Sequence, residues 1–227
     1  MIRLFNQDCL VAMREMPDKA YELAIVDPPY GIGEDGKSNN SRGNKAPSTK
    51  YTPKNWDRDT PPLEYFNQLK RVGINYIIWG GNYFTDKLSP SMGWIYWDKM
   101  NRPTDFSDGE LAYTSFNRAL KKFTFLWSGF WQGDMKHKEK RIHPTQKPVR
   151  LYEWLLTHYA KPGDRILDTH CGSGSILIAC DILGFSIDAY EIDVDYFNAA
   201  KERLERHQRQ GRLFVDDKPY PLPQEVL

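Results

Sequence analysis

The chain has 227 residues, 40% of them hydrophobic and 14% aromatic, which suits one large domain with a real core. A formal net charge of +1 excludes a polycation, so contact with nucleic acid must come from local patches. Three cysteines (Cys9, Cys171, Cys180) without a CxxC pair argue against a disulfide framework or a zinc site, and no run approaches the about 18 apolar residues of a membrane span.

The opening Met1 to Leu10 lacks the apolar core of a signal peptide, so a soluble cytoplasmic protein is expected, with no membrane partner. Ile2 to Phe5 reads as a strand and Leu10 to Met16 as a short helix. Glu22 to Val26 is an apolar strand running into Asp27-Pro28-Pro29-Tyr30, where the prolines forbid its continuation. Gly33 to Thr60 is a polar loop, long enough to be functional or disordered. Its stretch from Lys37 to Trp56 holds five basic residues (Lys37, Arg42, Lys45, Lys50, Lys54) and no acidic one. Pro62 to Val72 has helical spacing, and strands are predicted at Asn75–Trp79, Gly93–Trp97, Leu111–Ser115 and Phe123–Trp127. A second basic cluster spans Lys136, Lys138, Lys140, Arg141 and Lys147. Either cluster suits a phosphate backbone or is simply a solvated loop.

Pro148 opens a helix with Leu151, Trp154, Leu155 and Tyr159 on one face. Arg165–Asp168 is a buried strand. The turn Cys171-Gly172-Ser173-Gly174 leads into a helix from about Ser175 to Leu183, which Gly184 ends. Ser186–Tyr190 is a further strand, followed by Glu191 and by an amphipathic helix marked by Tyr196, Ala200 and Leu204. Strand, glycine turn, helix, strand and acid make a βαβ nucleotide-binding unit. The turn lacks the third glycine of a dinucleotide fingerprint, which disfavours a pyrophosphate and suits a nucleoside with a short charged tail.

Asp27-Pro28-Pro29-Tyr30 carries a different chemistry. An amino group conjugated to a base ring is a poor nucleophile, because its lone pair is delocalised. Two acceptors at fixed geometry, an Asp27 carboxylate oxygen and the Pro28 carbonyl on a rigid chain, can take both N–H groups and turn the lone pair toward a methyl donor. Tyr30 offers an aromatic face to a base taken out of the stack. The plainer alternative is a proline-rich turn ending a strand.

Three motifs in this order, Asp27-Pro28-Pro29-Tyr30, His143-Pro144-Thr145-Gln146-Lys147-Pro148 and Leu167 to Ser175, resemble the β-class DNA amino-methyltransferases, which modify adenine N6 or cytosine N4. Asn6 to Cys9 is similar to the family's N-terminal segment. The resemblance frames nearly the whole chain, 1–227, as one methyltransferase domain. It implies a Rossmann-like, mostly parallel sheet of seven strands, one antiparallel, with circularly permuted motif order. It implies S-adenosyl-L-methionine as cofactor, DNA as partner and a homodimer as a common assembly. By motif, Asp27, Pro28, Pro29 and Tyr30 would be catalytic, with Asp27 also bordering the cofactor. Asp168, His170, Cys171, Gly172, Gly174 and Ser175 would line the cofactor, and Glu191, with Ile192 beside it, would hold its ribose. Asp8 and Cys9 would sit near its adenine, and Thr145, Gln146 and Lys147 near its methionine carboxylate. Asp-Pro-Pro-Tyr leans toward adenine within the family.

Thr169-His170 departs from the family's Pro-Phe, and titration of His170 would make cofactor binding pH-dependent. The chain is also short for the family, which implies a small recognition region. Segments 33–60 and 101–141 are the expected DNA-recognition parts, with Tyr51, Trp56, Phe106 and Trp131 either stacking on bases or anchoring loops. Competing readings are an N4-cytosine enzyme, an RNA methyltransferase, an NAD-binding oxidoreductase and a degenerate DNA-binding module. The oxidoreductase leaves the double proline unexplained.

Overall fold

The structure is a computed structural model that describes residues 1–35, 54–101, 107–128 and 131–210. In chain order the elements are β1 (Ile2–Phe5), α1 (Cys9–Glu15), β2 (Tyr21–Val26), α2 (Leu63–Val72), β3 (Gly73–Trp79), a 3-10 turn (Gly81–Tyr83), β4 (Trp94–Asp98), β5 (Gly109–Thr114), β6 (Lys121–Thr124), β7 (Trp127–Ser128), β8 (Trp131–Gln132), α3 (Val149–Tyr159), β9 (Arg165–Asp168), α4 (Ser175–Leu183), β10 (Ser186–Tyr190) and α5 (Val194–Arg209).

Among the described residues the main sheet has eight strands in the order β1-β10-β9-β2-β3-β5-β4-β6. Only β5 runs against the rest: it is antiparallel to β3 and to β4, and β6 is parallel to β4. The single antiparallel strand is as expected, but the strand count is eight rather than seven. The extra edge comes from the predicted Phe123–Trp127 strand, which divides. β6 pairs with β4 as far as Asp98, and Trp127 then starts a separate two-stranded ribbon with β8.

The double winding follows from alternation along the buried strands. Leu23, Ile25, Ile77 and Trp79 join α3 and α4 residues such as Leu151, Leu155, Ile176 and Leu177 in one core. Ala24, Val26 and Ile78 face the other way, into a second core with Met13 of α1 and Tyr65, Phe66 and Leu69 of α2. The chain leaves β9 toward β10 and β2 toward β3, so the strand order reverses between β9 and β2. There Leu23 lies opposite Ile166 and Ala24 opposite Leu167, so Asp27 and Asp168 leave the sheet at one edge, where α/β folds bind ligands. No helix among the described residues is long and apolar enough to cross a membrane.

Candidate active site

After β2 the chain turns sharply, and one side chain that the sequence did not single out holds the turn. The buried carboxylate of Asp57 accepts from the backbone N–H groups of Tyr30 (2.7 Å), Gly31 (2.9 Å) and Glu34 (2.8 Å). This pins the chain from Tyr30 to Glu34, at the end of the Asp27–Tyr30 segment. The Tyr30 hydroxyl donates to Asp27 Oδ1 at 2.6 Å, and its ring stacks on Tyr83 with centroids 5.0 Å apart. Tyr83 is 43% exposed, so the ring partner of Tyr30 lies at the surface.

Gly80 completes the seat of Tyr30. Its φ is +68°, and a Cβ there would lie 2.2 Å from Tyr30 Cε1. Gly80→Ala is therefore expected to push Tyr30 off Asp27 and to lower the rate of any reaction that uses the Asp27 oxygens by about 10²-fold, the usual effect of an ångström-scale misplacement. Single-turnover kinetics beside a thermal melt test this, and an unaltered rate would show that Tyr30 is not held here.

Lys147 enters the same place from the segment before α3. Its Nζ is 2.5 Å from Asp27 Oδ2, 3.1 Å from Glu110 Oε2 and 3.3 Å from the Tyr30 hydroxyl. Its side chain is 2% exposed. Burial works against the ammonium, but the Asp27 and Glu110 carboxylates outweigh it and leave the lysine pKa above its ordinary value. Burial raises the Asp27 pKa, with Lys147 opposing and Glu110 adding to the rise. Glu110 also pairs with Lys99, and the two lysines overcome its burial and hold it down at about 2. The structure thus brings Lys147 to two carboxylates. Gln146 accepts from Ile142 N at 2.9 Å through its side chain and from Trp127 Nε1 at 2.8 Å through its carbonyl, and Thr145 is exposed.

The glycine turn stands beside this centre. Gly172 and Gly174 have φ of +51° and +71°, which only glycine adopts readily, and Ser175 starts α4 with its hydroxyl on the Lys147 carbonyl at 2.7 Å. The Glu191 carboxylate accepts from Gly172 N at 2.8 Å and Asp193 N at 2.9 Å, and burial raises its pKa. Asp168 accepts from His170 N at 3.0 Å. Burial, with the charges of Asp27 and Glu191, pushes Asp168 up to about 8. Cys171 is buried and neutral, its pKa raised first by burial. Burial pushes Cys9 up to about 12, and Asp8 caps α1 through Leu10 N. Ile192 is 67% exposed.

His170 does not behave as its titration hypothesis requires. Burial pushes it down to about 4, and Nδ1 bonds the Thr169 hydroxyl at 2.9 Å, so it is neutral across the physiological range.

Two further side chains tie the parts together. Arg203 of α5 is buried and donates to the Ser173 carbonyl (2.8 Å), the Ser175 hydroxyl (2.9 Å) and Glu139 (2.6 Å). Glu139 in turn accepts from Val149 N at 2.9 Å, joining the segment before α3 to the glycine turn. His143 wedges between Trp56 and Tyr196, with centroids 5.1 and 4.3 Å away. Trp56 is thus an anchor, and Lys54 pairs with Asp193 (2.6 Å) and Asp195 (2.5 Å). Trp131, by contrast, is 58% exposed. Tyr51, Phe106, Lys37, Arg42, Lys45 and Lys50 lie outside the described residues.

The DNA methylase family matches residues 94–202. The Type II methyltransferase M.HpaI of Haemophilus parainfluenzae is 26% identical over 238 residues, covering 89% of this chain and 74% of that protein. The fold matches that of the M1.HpyAVI–SAM complex, with a TM-score of 0.55, 20% identity, and coverage of 90% of this chain and 100% of the other. It also matches the cytosine-N4-specific PvuII DNA methyltransferase, with a TM-score of 0.57, 12% identity and 92% of each chain covered. The Rossmann-like fold is that of DNA methyltransferases. The family match and the curated relative are likewise to DNA methylases, the class that the motifs resemble.

Proposed function

We propose that the protein transfers the methyl group of S-adenosylmethionine to the exocyclic N6 of an adenine turned out of a DNA duplex. The observation that carries this reading is the meeting of Asp27 with the glycine turn at the point where the strand order reverses. The chemistry of the donor set fits the cofactor. Asp168 and Glu191 are buried carboxyls whose pKa values are both raised, and a ligand carrying a sulfonium and an ammonium relieves that crowding.

When bound, S-adenosylmethionine supplies an electrophilic methyl on sulfur. Asp27 accepts one N–H of the target amino group and the Pro28 carbonyl the other, which localises the nitrogen lone pair. Lys147 favours the ionised form of Asp27, which keeps it an acceptor and lets it receive the proton that the amino group gives up. Tyr30 is held by Asp57 and Gly80 where it can flank the base. The β7–β8 ribbon, with exposed Trp131 followed by exposed Lys136, Lys138 and Lys140, is the described part best suited to the phosphate backbone.

The test is to incubate the protein with unmethylated DNA and labelled S-adenosylmethionine, digest to nucleosides and identify the product. Labelled N6-methyladenine is expected. N4-methylcytosine, the product class of the PvuII enzyme, would move the target to cytosine, and no label in DNA of varied sequence would overturn the reading.

A further inference from the structure

We infer that Glu110 is a positioning residue of this site: from β5 its carboxylate shares the Lys147 ammonium with Asp27, so the acceptor for the target amino group is one half of a carboxylate pair drawn on a single cation. The inference rests on the role proposed above for Asp27. It adds a residue and a strand that no motif marks.

Three separate parts of the chain converge. Asp27 follows β2, Glu110 lies in the antiparallel β5, and Lys147 precedes α3. The lysine Nζ lies 2.5 Å from one carboxylate and 3.1 Å from the other. It also lies over the rings of Trp79 (5.3 Å to the centroid) and Tyr30 (5.7 Å), which shield it from water. Glu110 is itself fixed by Lys99, whose ammonium lies 5.0 Å from the Trp97 ring centroid. Two carboxylates and two ammoniums balance in charge, which makes this much buried charge tolerable.

Sharing matters for the chemistry. A buried lysine paired with Asp27 alone would bind it tightly and compete with the base for its oxygens. A cation drawn also toward Glu110 binds Asp27 less tightly and leaves it lone pairs for an N–H donor. The two neighbours of Asp27 therefore act on it in opposite directions. Lys147 favours the carboxylate form, and Glu110, through its own charge and its hold on the lysine, disfavours it. Other groups facing this cluster are the Tyr30 hydroxyl, the Tyr152 phenol of α3 and Asp168 after β9.

The test compares the full chain with Lys147→Gln, Glu110→Gln and Lys147→Arg. The titration of Asp27 is followed by carbon-13 carboxyl NMR, assigned by its loss in Asp27→Asn. The Asp27 midpoint is expected to rise by about one pH unit or more in Lys147→Gln and to fall in Glu110→Gln, since a charge at this distance shifts a pKa by about 1–3 units. Lys147→Arg should return it toward wild type. The acid limb of the methyl-transfer rate should move with each midpoint, which a merely structural role for Glu110 would not produce. Midpoints that move in one direction in both Gln variants, or stay fixed, overturn the inference. If Glu110→Gln does not fold, Glu110→Asp, which withdraws the carboxylate without removing it, should give a smaller fall, and no fall there counts equally against it. A wild-type protein that transfers no methyl while the midpoints move oppositely would remove the proposed function and leave the carboxylate pair standing.

Discussion

Replacing Asp27 with alanine is expected to slow methyl transfer by about 10²–10³-fold or more, the usual loss when one preorganised polar partner of a reacting group is removed. Cofactor affinity should stay within a few-fold of wild type. The separation follows from where the side chain sits. Its oxygens meet the Tyr30 hydroxyl and the Lys147 ammonium, whereas the glycine turn is held independently through Glu191 and Arg203. The variant does not strand a buried cation, because Lys147 keeps Glu110. Single-turnover rates with equilibrium binding of S-adenosylmethionine are the measurement. A rate near that of wild type would show that Asp27 is not the acceptor, and loss of cofactor binding would make it a cofactor residue first.

Much of this site was legible in the sequence because its backbone requirements are local. The prolines after β2, the glycines before α4 and the acid after β10 each force or terminate a conformation within a few residues, so their positions could be read directly. What was not legible depends on residues far apart in the chain. Asp57 reads as an ordinary polar residue in a loop, and only the folded turn shows three backbone N–H groups pointing at it. Arg203 lies on a helix that otherwise presents charge to solvent, and its burial depends on Glu139, 64 positions away. Glu110 did leave a signal: strand alternation puts it on the face of Ala112, which is buried. Starting the predicted strand at Leu111 hid that signal. Lys147 was identified as a functional cation from its motif, but its partners were not, since β5 reaches it only through the antiparallel pairing with β3. The division of the predicted Phe123–Trp127 strand was not legible for a similar reason, because the break after Thr124 follows from where β4 ends.

Affinity for S-adenosylmethionine is expected to depend on pH through Asp168 and not through His170. In the free protein burial first, and then the charges of Asp27 and Glu191, push Asp168 up to about 8, while the N–H of His170 offsets only part of this. A cationic ligand beside it favours the carboxylate and lowers that pKa, so below about pH 8 the cofactor must displace a proton. Affinity should fall by up to about tenfold per pH unit below pH 8 and level off above it. His170, pushed down to about 4, stays neutral through this window and adds nothing to the slope. Calorimetry in two buffers of different ionisation enthalpy should show close to one proton released per cofactor near neutral pH. Asp168→Asn should bind weakly with no such release, and a flat wild-type affinity across the window would defeat the assignment. The same carboxyl affects stability with a definite sign. Its folded pKa is raised above the unfolded value of about 3.9, so folding takes up a proton, and stability declines as pH rises from there to about 8. Asp168→Asn removes that decline and should melt higher than wild type at neutral pH while losing the cofactor. A gain in stability coupled to a loss of binding is the behaviour of a group kept in the core for its ligand, because a carboxyl there for packing alone would lose stability on replacement.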